Sequence, residues 1–184
     1  MIENQNQNAE NKTTDSGLLT GMFHDRDSAE HAYNTLQEKG YSKDDINLVM
    51  SDETRKKHFS GDAKETQIGT KAAEGLGKGS AIGSTVGAIV GIIAAIGTSL
   101  VIPGLGIIIA GPIAAGLAGA GAGGITGGII GALIGSGIPE ARAKLYETGI
   151  KEGQIVIGVR PHNSEDAKFF EENWRTNKGG EIHI

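Results

Sequence analysis

The chain of 184 residues contains no cysteine, one Trp, and only 4% aromatic residues. With no thiol present, disulfide frameworks and Cys-based zinc, redox and protease chemistries are excluded. Sparse aromatics rule out a base-stacking platform, and a net charge of −5 gives no basic footprint, so nucleic acid is not an expected partner. Charge itself is missing from one stretch. From Gly79 to Pro139, 61 consecutive residues carry no Asp, Glu, Lys, Arg or aromatic side chain.

That stretch holds 18 of the chain's 30 glycines. Average usage near 7% would give about 13 glycines in the whole chain. The bilayer core, about 30 Å thick, takes roughly 20 apolar residues per helix. Two spans fit that length, Gly79 to Ile102 and Pro112 to Gly137, with Pro103, Gly104 and Gly106 as the turn of an α-helical hairpin.

Glycine is a poor helix former, costing up to ~1 kcal/mol relative to Ala, so its placement needs a packing reason. Gly79, Gly83, Gly87, Gly91 and Ala95 recur every four residues, as do Gly111, Ala115, Gly119, Gly123, Gly127, Gly131 and Gly135. Such stripes let helix backbones approach closely, the small-xxx-small arrangement of membrane helices. They are the expected helix-packing interface, for the hairpin and for further copies of the chain. Lysines and arginines flank both ends of the run and are absent from its turn, which places both termini on the cytosolic side of an inner membrane.

The flanking segments read as two similar βαβ units. LLTGMF is a strand, Asp27 or Ser28 caps a helix ending near Gly40, and INLVM is a second strand. After the apolar run, EARAKLYETGIKEG is a helix and QIVIGV a strand. Ser164 then caps a helix carrying Phe169, Phe170 and Trp174, and Glu181 to Ile184 form a last strand. The expected fold is therefore α+β, a ferredoxin-like βαβ-βαβ sandwich split by the inserted hairpin. Its segments are a disordered tail (1–17), the first βαβ half (18–53), a linker turning helical (54–78), the glycine-zipper hairpin (79–139), and a helix plus the second βαβ half (140–184). The tail lacks the basic and apolar regions of a secretory signal peptide.

Reaction chemistry is not evident. Gly77-Lys78 is followed by Gly79 rather than Ser or Thr, and the phosphate-loop spacing fails. The five histidines, His24, His31, His58, His162 and His183, fall on different elements, although His24 and His162 occupy equivalent turns of the two units. No catalytic residue, metal site or cofactor is expected.

LTGMFHDRDSAEHAYNTLQEKGYSKDDINLVMSDE (Leu19 to Glu53) resembles the N-terminal domain of bacterial general stress proteins of the heat-induced YflT type. The glycine-rich run followed by IPEARAKLYETGIKEGQIVIGVRP is similar to small bacterial membrane proteins grouped with that domain. The resemblance covers about residues 18 to 160 and implies a stress-associated protein, with no catalytic residues to carry over. The expected function is a non-enzymatic membrane protein that oligomerises through its glycine stripes, with itself and lipid as partners. A soluble cytoplasmic particle with buried hairpins and an oligomeric pore are the alternatives.

Overall fold

A computed structural model describes residues 17–59, 100–102, 106–119 and 128–184. In chain order the elements are β1 (Leu19–Phe23), α1 (Arg26–Glu38), β2 (Ile46–Ser51), α2 (Asp52–Phe59), β3 (Leu100–Ile102) and β4 (Ile107–Ala110). They continue with α3 (Pro112–Gly119), α4 (Gly128–Gly135), α5 (Glu140–Lys151), β5 (Ile155–Val159), α6 (Ser164–Thr176) and β6 (Gly179–His183). The class is α+β. One six-stranded sheet runs β3-β4-β2-β5-β1-β6, and every neighbouring pair is antiparallel.

Alternation along the strands sends successive side chains to opposite faces, and both faces are covered. On the first, Leu19 and Phe23 of β1, Ile46, Leu48 and Met50 of β2 and Ile155, Ile157 and Val159 of β5 pack with Ala29, Tyr33 and Leu36 of α1 and Phe170 and Trp174 of α6. This is the layer that the amphipathic patterns of the two helices foretell. Their caps lie slightly earlier than expected. Asp25 caps α1, its carboxylate accepting from the Ser28 N–H at 2.8 Å. Asn163, rather than Ser164, caps α6 by accepting from the Asp166 N–H at 2.8 Å.

Two glycines are required by close approach. A side chain at Gly21 would put its Cβ 2.8 Å from Trp174 Cε3, so β1 must lack one where the indole lies against it. Gly111, at φ +93°, lies so close to the Ile46 carbonyl that no Cβ could be accommodated.

The expected helical hairpin is corrected in its described parts. Leu100 to Ile102, the end of the first expected span, form strand β3 rather than helix. Gly106 does turn the chain, at φ +61°, but it joins β3 to β4, and its carbonyl accepts from the Asp52 N–H at 2.7 Å. The turn is thus tied to the sheet beside β2. In the second span the described residues form α3 and α4, of 8 residues each, and Gly128 opens α4 at φ +63°. Among the described residues no helix is long and apolar enough to cross a membrane. Residues 1–16 of the tail, Gly79 to Ser99, Pro103 to Leu105 and 120–127 lie outside the described residues, as does the linker beyond Phe59, whose first residues, 54–59, belong to α2.

Candidate functional site: the apolar layer on the second sheet face

The second face of the sheet is only half apolar. Met22, Val49 and Val156 alternate there with the buried polar residues Thr20, Asn47 and Gln154. Isolated from the rest, such a face would read as one that meets water or a partner. Here Ile107 and Ile109 of the neighbouring strand β4 extend the apolar part of the face, and it is roofed by Ile113 and Ala114 of α3, Ile129, Ala132 and Leu133 of α4, Ile138, and Ala143, Tyr146 and Ile150 of α5. The described part of the charge-free run therefore uses its inner side within the domain.

Two polar latches fasten that roof. Asn47, 4% exposed, donates from Nδ2 to the Gly158 carbonyl at 3.3 Å and accepts at Oδ1 from the Ile113 N–H at 2.8 Å. Its amide thus joins β2 to β5 and satisfies one of the free N–H groups at the start of α3. Tyr146 of α5 donates to Thr20 Oγ1 or the Glu181 carbonyl, its hydroxyl lying 2.7 and 2.8 Å from them. Burial raises the Tyr146 pKa above the ordinary tyrosine value, with Thr20 and Arg142 opposing the shift. Neither latch is visible in the sequence as a motif. Asn47 is the one discoverable signal, a polar residue inside the otherwise apolar run INLVM.

The expected packing residues are distributed unevenly. Gly79, Gly83, Gly87, Gly91, Ala95, Gly123 and Gly127, with Pro103 and Gly104 of the turn, lie outside the described residues. Gly111 is pressed against β2 rather than against another helix. Ala115 is exposed on α3, and Gly119 ends that helix. Gly131 and Gly135 meet nothing within 4 Å of a modest added side chain, so among the described residues no helix backbone packs against them. They share the outer side of α4 with Ile134, which is 42% exposed. Leu145 on α5 is likewise exposed. The physical reason is that α4 buries its Ile129, Ala132 and Leu133 side on the sheet, which turns Gly131 and Gly135 outward.

Polar groups elsewhere form shallow clefts. One of about 310 Å³ gathers His24, Asp25, Glu53, Lys57, His58 and Lys151 where β1 and β2 end. Another, of about 240 Å³, is lined by Asp44, Asp45, Asn47, Arg160 and His162. His24 and His162 are thus not brought together, and among the described residues no group of three or more His, Asp or Glu is placed to hold a metal ion. The Asp25 pKa is lowered by its hydrogen bonds from the Ser28 N–H and hydroxyl, which is cap chemistry. Comparison of the chain with family models, curated proteins and solved structures finds no match.

Proposed function

We propose that this chain is a non-enzymatic, stress-associated bacterial protein that self-associates and contacts lipid through its glycine-rich apolar half, at the cytosolic face of the inner membrane. The observation that carries the reading is the outward side of α4, where Gly131, Ile134 and Gly135 present apolar and unfilled surface within a run of 61 residues without charge. Water gains no polar partner there, whereas another helix or acyl chains can fill the glycine positions. The stress association rests on the resemblance of Leu19 to Glu53 to the YflT-type domain.

Within this reading the platform is a ferredoxin-like sandwich. Support comes from the order β2-β5-β1-β6, antiparallel throughout, with α1 and α6 crossing on one face. The second reading, a soluble particle with its apolar segments inside, is favoured by one observation: Ile107, Ile109, Ile113, Ala114, Ile129, Ala132, Leu133 and Ile138 of the charge-free run are already buried on their own sheet. Alkaline carbonate extraction of membranes from expressing cells separates the two. Retention in the membrane pellet is expected, and release into the supernatant as large particles would replace the first reading with the second.

A further inference from the structure

Cutting the fold between Phe59 and Leu100 divides the described strands into a first half that pairs none of its own strands and a second half that pairs only β3 with β4. Strands β1 and β2 of the first half are not neighbours. In the order β3-β4-β2-β5-β1-β6, β2 lies between β4 and β5, and β1 between β5 and β6. Both edges of each first-half strand are therefore paired with the second half, and only the β3–β4 ladder lies within one half. Side chains repeat the pattern: Tyr41 donates to Asp166 at 2.7 Å, Asn47 bridges to Gly158 and Ile113, and Tyr146 reaches Thr20. The core follows suit, with Phe23 edge-on to Trp174 at 5.7 Å between ring centroids.

We infer that copies of this chain assemble by exchanging halves, β1-α1-β2-α2 of one copy inserting between β4, β5 and β6 of another. The partner is a second copy because the slots and the strands that fill them are already complementary in every pairing. Exchange preserves each contact and adds no new surface to satisfy, the low-cost route to assembly that swapping offers. The 40 residues from Ser60 to Ser99 join the halves, and at full extension they reach about 130–140 Å, ample to connect neighbouring copies. Because the link is covalent, closure within one copy is an intramolecular step that does not depend on the concentration of other copies. Exchange therefore competes only where copies are already concentrated, so the inference rests on the self-association proposed above.

The chain's lack of cysteine makes a direct test available. Met22 on β1 and Val156 on β5 stand directly opposite each other in the register. Opposed residues of an antiparallel pair have Cα atoms about 4.5–5.5 Å apart, within the disulfide range. Full-length Met22→Cys and Val156→Cys proteins are unfolded together under reducing conditions, refolded in detergent above the concentration at which the chain associates, and oxidised. The expected product is a covalent dimer containing one of each variant, absent when either variant is refolded alone. A mixed sample with no more covalent dimer than the separate ones overturns the inference, provided that the Met22→Cys/Val156→Cys double variant closes its own disulfide. If that control stays reduced, Val49→Cys with Val156→Cys, opposed across β2 and β5, is read in the same way. Sedimentation of the same samples separates the two claims. Oligomers without a mixed disulfide overturn the exchange and leave self-association standing, whereas monomers at every concentration overturn both.

Discussion

Replacing Asn47 with Ala isolates the latch between the sheet and the apolar roof. The change removes the donor to the Gly158 carbonyl and the acceptor for the Ile113 N–H, at a site only 4% exposed. Leaving a buried partner unsatisfied costs ~1–3 kcal/mol, and the Ile113 N–H loses its partner outright. The Gly158 carbonyl has a second lone pair, so its loss is the smaller one. Together the two losses predict destabilisation of about 2–3 kcal/mol. Urea unfolding followed by circular dichroism should show a lower midpoint at an unchanged slope, because the surface exposed on unfolding stays the same. Amide exchange supplies the local readout: Ile113 should exchange faster in the variant, while Ile157, paired to Gly21 in the centre of the sheet, should change little. A stability change below about 0.5 kcal/mol, the range of ordinary surface substitutions, would refute the reasoning.

Gly21→Ala should destabilise by about 1–3 kcal/mol, because the new methyl forces the indole of Trp174 to move, and the emission of this single Trp should shift; unchanged emission and stability would contradict the contact. Burial pushes the pKa of Tyr33 and of Tyr41 up to about 12. The unfolded tyrosine value is about 10, so these groups favour the folded state fully below pH ~10, and that contribution is lost as pH rises through 12. Phenolate absorbance should therefore appear late and together with unfolding, and ionisation of these tyrosines near pH 10 in a still folded protein would count against their burial.

How far the sequence predicts this fold differs sharply between its two kinds of segment. Where polar and apolar residues alternate, the periods separate strands from helices, and β1, α1, β2, α5, β5, α6 and β6 lie where they are expected. Asp25 and Asn163, each three residues before the N–H that it caps, account for the small displacements at the helix starts. Within the glycine-rich run no polar residue marks a face, and a short apolar segment serves helix or strand equally well. The run Ile107-Ile108-Ile109, β-branched throughout and bounded by Gly106 and Gly111, carried the strand signal against the four-residue glycine register. Its capture by β2 depends on a tertiary contact, the ladder from Leu48 to Ser51, which no local pattern announces.

The apolar stripe was similarly half legible. Spacing identifies which residues of α4 are small, but not which side of the helix meets the sheet. That choice follows from burying Ile129 and Leu133, larger side chains whose transfer from water is worth ~1.5–3 kcal/mol each, rather than Gly131 and Gly135. The outward glycines are a consequence of the sheet having taken the better apolar side.

Self-association of the full-length chain is the claim on which the functional reading stands, and sedimentation equilibrium in density-matched detergent tests it most directly. The account predicts a mass of at least two copies that falls toward one copy on dilution or in the variant Ile134→Glu, which puts a charge on the outer side of α4. A single-copy mass at every concentration, in wild type and variant alike, would contradict it.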